Sequence, residues 1–172
     1  MIAMTIFSQF LLYIGLSILM GTFILSCVPT SLRPQVYISK KWLMISAIAL
    51  PVVSFVPNIQ LLTILTPQFG FFDSIWMLLS KFKVGHSWLA ILGFTIILLL
   101  IVRIYVKQES KLSAVMGILV LIAIMAAIGY ISHAGSMSGI VGSIFDFVHL
   151  FAVSVWLGIL IMISFFSKDA AN

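Results

Sequence analysis

The sequence predicts an all-α fold, a polytopic transmembrane helix bundle of about five spans with its N-terminus outside. Three observations carry that prediction. Of 172 residues, 63% are hydrophobic and only 8% are charged, whereas an ordinary soluble domain has about 25% charged residues. Apolar runs of membrane-spanning length recur along the chain, and charges and turn formers gather in the gaps between them. No compact water-soluble fold of this length could hide so much apolar surface.

A spanning helix needs about 20 predominantly apolar residues. Runs at roughly 5–28, 42–65, 86–106, 112–132 and 143–166 meet that length. The first run has no basic stretch ahead of it and passes Cys27 into Pro29 without an A-x-A site. It also exceeds the apolar core of a signal peptide, about 7–15 residues, so it reads as a retained helix. Within the second run, Pro51 and Pro57 each remove a backbone donor, which predicts a kink. In the following link, Phe71, Phe72, Ile75, Trp76, Leu79 and Phe82 recur at helical spacing, with Asp73, Lys81 and Lys83 off that face. This predicts an interfacial helix over about 71–82. "KQESK" joins the third span to the fourth, and "SHAGSMSGIVGS" reads as a glycine-rich turn before the fifth. The whole of 1–172 is expected to be one transmembrane domain. Its single cysteine, Cys27, excludes an intrachain disulfide.

Arg33, Lys40, Lys41, Arg103, Lys107, Lys111 and Lys168 fall on one side of the expected bundle, and Lys81 and Lys83 on the other. The positive-inside rule makes the first side cytoplasmic. The net charge of +5 is therefore spread over the gaps rather than gathered on one segment, and no nucleic-acid partner is expected.

With that topology all three histidines belong to the outer side. His86 begins the third span, His133 ends the fourth, and His149 lies about 9 Å past Ser143 in the fifth. Asn58 is about 10 Å deep and Gln9 a little shallower. Polar side chains inside a bilayer turn toward the bundle interior or a cavity, so Asn58 and Gln9 are expected to line an outward-facing pocket. Ser143 and Asp146 fit the [ST]-x-x-[DE] capping pattern. Asp146 also shares a helix face with His149, where a carboxylate accepting the Nδ1 proton would leave Nε2 free for a metal. Both roles stay open.

Copper accepts thioether as well as imidazole, and Met137 lies between His133 and His149, with Met4 and Met77 also outside. A copper ion held by His133 and His149, with Met137 or His86 as third ligand and Asp146 behind them, is the leading reading. Two histidines could instead ligate a haem iron axially, and a scaffold subunit without a site is the third possibility. The inner half has no ionisable group away from its boundary, only hydroxyls such as Thr22 and Ser46; its candidate ligands Met20, Met44 and Cys27 read as packing residues, so no ladder of ligands is expected to continue below His149. The sequence contains no Walker loop, Ser-His-Asp arrangement, HExxH or pair of intramembrane carboxylates, and an enzyme is not expected.

"SHAGSM" followed by "DFVHLFAVSVWLGIL" resembles the CopD copper-resistance family of bacterial membrane copper transport proteins. The matching positions are Ser132, His133 and Ala134, then Asp146, His149, Trp156, Leu157, Gly158 and Leu160, with Ile159 where the family has a second glycine. "LLYIGLSILMGTFIL" and "KFKVGHSWLA" are similar to the family's first span and the entry to its third. The resemblance implies copper handling in the bacterial cytoplasmic membrane, with uptake toward the cytoplasm, and adds Trp156 to the expected pocket lining. Besides membrane lipid, it implies as partners a periplasmic or extracellular copper-binding protein, or the further helices of a longer member of which this chain would be a part.

Overall fold

The computed structural model describes residues 2–166 apart from Arg33, Gln35 and Tyr37; of Ile2, Ala3, His133, Ala134 and Ser136 it describes the backbone alone. Arg33 and Lys168, both used in the charge count, lie outside the described residues. The chain forms α1 (Ile2–Cys27), α2 (Lys40–Ser54), α3 (Val56–Phe69), α4 (Phe71–Lys81), α5 (Lys83–Gln108), α6 (Lys111–Tyr130) and α7 (His133–Phe166). Among the described residues five helical stretches are long and apolar enough to cross a membrane: Met4–Cys27, Lys40–Phe69, Lys83–Gln108, Lys111–Tyr130 and Met137–Phe166. The all-helical membrane bundle is thus the fold observed.

Helix α1 is central. It packs on α2, α6 and α7, while α5 packs on α2 and α6. Small residues let the helices approach it. A Cβ on Gly15 would lie 3.3 Å from the Ser46 carbonyl oxygen, and one on Gly117 would sit 2.5 Å from the Phe23 ring. Leu16, Leu19, Met20 and Phe23 of α1 are completely buried as a result. Without a hydrophobic driving force between helices in lipid, such close van der Waals packing is what associates spans.

The second span is broken at Phe55 into α2 and α3. Pro51 sits inside α2 without interrupting it, so Pro57 accounts for the break. Pro57 has no N–H for the Val53 carbonyl, and its ring crowds that group. The Phe55 N–H bonds one residue short, to Val52 O at 3.3 Å, which frees the Pro51 carbonyl. That oxygen accepts from Trp88 Nε1 of α5 at 2.9 Å and from the Ser54 hydroxyl at 3.3 Å. An indole from a neighbouring helix therefore pins the kink, as bundle neighbours can do in membranes.

The segment expected to be interfacial forms the helix α4, which buries Ser74 and Leu78 and exposes Phe72 and Trp76. It packs between α3 and α5. Its end of the bundle also holds the start of α1, the end of α6 and the start of α7.

The glycine-rich stretch before the fifth span is partly helical, and the expected turn narrows to a break at Gly139. α7 starts at His133 and breaks only at Gly139, with φ 60° and ψ −139°. That backbone region is essentially restricted to glycine. Ser132 supplies the cap, accepting from the Gly135 N–H at 3.0 Å. The capping role expected of Ser143 falls away, because Ser143 lies inside the helix and donates to the Gly139 carbonyl at 3.2 Å.

Candidate functional site

At the α4 end, the break in the second span leaves room between the helices. A cavity of about 320 Å³ is bounded there by α1, the α2–α3 break, α5, α6 and α7. Its polar lining comes from Ser8, Gln9 and Tyr13 of α1, Ser54, Ser132 and Asp146. Three of these hydroxyls are engaged with backbone. Ser8 donates to Thr5 O at 2.8 Å, Ser54 donates to Pro51 O, and Ser132 accepts from Gly135. Gln9, Tyr13 and Asp146 supply the remaining chemistry. Among the described lining residues Asp146 is the one carboxylate, and none is a lysine or arginine. An ionisable side chain within a span is costly to bury and is by default a candidate functional group, such as part of a cation path or proton relay.

The expected site residues distribute unevenly around this cavity. Gln9 lines it, as does Asp146. Asn58, expected to line the pocket, is not among the cavity's lining residues: on the α3 side of the break it is fully buried, and neither its amide nitrogen nor its amide oxygen has a hydrogen-bond partner. His86 is exposed in the first turn of α5. His149 is exposed on the outside of the bundle while Asp146 turns inward, although they are three residues apart. Because the helix resumes just after Gly139, His149 lies about 14 Å along it, deeper than the 9 Å counted from Ser143. Met137 is 75% exposed. Among the described residues, no three of the His, Cys, Asp and Glu side chains come close enough to hold a metal, so His86, Asp146 and His149 do not form such a group. The His133 side chain lies outside the described residues, and the ligand set built on it stands as an expectation. Trp156 requires correction: it is 69% exposed and lines neither this cavity nor the one at the opposite end, because α7 turns Ser154 and Gly158 inward at that level.

Sequence reasoning missed Tyr13, because a tyrosine in an apolar span reads as an interface or packing residue. It also missed Trp88, whose role appears only once Pro57 has freed the Pro51 carbonyl. A signal for Tyr13 was present: Gln9, Tyr13, Ser17 and Gly21 recur every fourth residue, a polar and small stripe on one helix face.

Spans packed around a polar cavity, with Asp146 the one carboxylate among its described lining residues, define a multi-pass helical membrane protein. The chain belongs to the family described as copper resistance protein D-like, N-terminal domain, which it matches over residues 1–143. No curated protein and no solved structure matches it. The family match takes in α1 to α6, the capping Ser132 and the start of α7, whereas Asp146, His149 and Trp156 lie beyond its last residue.

Proposed function

We propose that this chain receives copper ions at the α4 end of the bundle and moves them across the cytoplasmic membrane of a bacterium. The observation that carries the reading is a polar cavity at the histidine-bearing end of a chain from a copper-resistance family. Lys40, Lys41, Arg103, Lys107 and Lys111 gather at the opposite end, against Lys81 and Lys83 at the α4 end. By the positive-inside rule the α4 end faces outward, where a periplasmic or extracellular copper-binding protein could deliver the ion. His133 and His149, completed by Met137 or His86, are the proposed ligands, since copper accepts both imidazole and thioether. Asp146 turns its carboxylate into the cavity, where an oxygen donor favours a cation. The exposed face that carries His149 suits further helices of a longer family member, because an imidazole left against lipid is costly.

The test is copper titration and metal analysis of the purified chain beside His133→Ala and His149→Ala. Weakened binding in both variants is expected. Unchanged affinity and stoichiometry in both would remove this ligand set. An absorption spectrum of the same sample separates the haem alternative: a Soret band would replace copper with a bis-histidine haem.

A further inference from the structure

We propose that the seam between α1 and α7 is the path along which the transported ion crosses, closed in this structure by contact between Gly21 and Gly158. The proposal rests on the copper reading above for the identity of the ion and on separate observations for the route.

Two cavities lie at opposite ends of the same helix pair. The second, about 270 Å³, is bounded by the end of α1, the start of α2, the end of α5 and Met162 of α7. Its exposed Lys40 and Glu109 bring it to the surface at that end. Between the two cavities, α1 presents Gln9, Tyr13, Ser17, Gly21 and Leu25 at every fourth position. α7 presents Asp146, Leu150, Ser154, Gly158 and Met162 at the same spacing. Gln9, Tyr13 and Asp146 line the first cavity, and Leu25 and Met162 line the second. From Asp146 to Met162 is about 24 Å of helix, most of the roughly 30 Å hydrocarbon thickness.

The middle of the seam is polar without being paired. The hydroxyls of Ser17 and Ser154 are fully buried and have no hydrogen-bond partner. Buried polar groups nearly always find partners, and an orphan hydroxyl in a membrane interior calls for an explanation. A species that passes transiently between the helices supplies one. Below them, the Thr22 hydroxyl contacts the Met162 sulfur at 3.6 Å, and Ser26 and Tyr105 share a hydrogen bond. Met162 thus offers a soft donor at the entrance to the second cavity, preceded by weak oxygen donors. Conduction requires sites strong enough to admit an ion and weak enough to release it, and hydroxyls followed by one thioether meet that requirement for copper.

The barrier is the helix crossing itself. A Cβ on Gly21 would lie 2.9 Å from the Gly158 Cα, and one on Gly158 would lie 2.8 Å from the Gly21 nitrogen. Passage therefore requires α1 and α7 to part at this point, with each cavity serving as the access from its own side.

The experiment places the full chain in proteoliposomes and measures Cu(I) uptake and thiol reactivity. Ser17→Cys and Ser154→Cys are made in a Cys27→Ser background, with Ile163→Cys on the exposed face of α7 as control. The expected result is that a charged methanethiosulfonate reagent and Ag(I) modify both seam cysteines and abolish uptake, while modification at 163 leaves uptake intact. Uptake that persists with both seam cysteines unreactive overturns the path and leaves the copper reading standing. Absence of uptake by the parent chain overturns the copper reading. In that case reactive seam cysteines still support a hydrated route, and unreactive ones remove it.

Discussion

Replacing Gly158 with alanine measures how closely α1 and α7 are held. The new methyl would lie 2.8 Å from the Gly21 nitrogen and 3.0 Å from the Gly21 Cα, and would press on the Ser17 carbonyl. Unstrained carbon contacts sit at about 3.5–4.0 Å, so the two helices must separate by roughly 1 Å. The obstructing atoms are backbone in two long helices, and no side-chain rotation relieves them. Overpacking of this kind costs about 1–3 kcal/mol. It is opposed by the higher helix propensity of alanine, worth about 0.8–1.0 kcal/mol. Gly93 isolates the two effects, because a Cβ there meets nothing within 4 Å. Gly93→Ala keeps the propensity gain alone, so the gap between the variants equals the overpacking cost. Denaturant unfolding of the full chain in detergent micelles should therefore rank Gly93→Ala at or above the parent and Gly158→Ala about 1–3 kcal/mol below Gly93→Ala. Gly21→Ala combined with Gly158→Ala should lose less than the sum of the two, since helices already parted by one methyl have room for the other. Equal stability of the 93 and 158 variants would refute the close crossing and, with it, the barrier assigned to the seam.

Three further outcomes follow from particular atoms. Trp88→Phe keeps the ring beside Phe55 but removes the donor to the Pro51 carbonyl. It should cost about 1–2 kcal/mol in the same unfolding assay, and measurably less in a Pro57→Ala background, where Phe55 can reclaim that carbonyl. Asn58→Leu replaces an amide with two unpartnered buried atoms by an apolar side chain of similar size, and should stabilise the chain by about 1–3 kcal/mol; a loss of stability would mean that the amide is satisfied. Gly139→Ala meets no neighbouring atom, so its whole effect is the strain of φ 60° and ψ −139°. It should destabilise by about 1–3 kcal/mol, and a neutral outcome would show that the break in α7 does not need glycine.

The boundary of the family match separates two kinds of information in the chain. Residues 1–143 carry the membership, yet the carboxylate of the cavity and half of the proposed path, Asp146 to Met162, lie after it. The matched helices form most of the cavity wall and one side of the seam. The other side comes from α7 beyond Gly139.

Composition and apolar run length were sufficient for the membrane bundle, its five spans and the α4 segment. A bilayer demands long apolar helices whatever their neighbours, and that demand is written locally, residue after residue. The missing N–H of Pro57 likewise announced a kink, although Pro51 lacks the same donor and leaves α2 uninterrupted. What the sequence could not decide was which way each polar side chain turns. His149 and Asp146 are three residues apart and look equivalent in one dimension, but the approach of α1 through Gly21 and Gly158 turns Asp146 inward and leaves His149 outside. The same approach moved Trp156 out of the pocket and buried Ser17 and Ser154. Whether a glycine is a break, as Gly139 is, or a point of contact, as Gly158 is, depends on the partner it meets. Only the packed helices supply that partner.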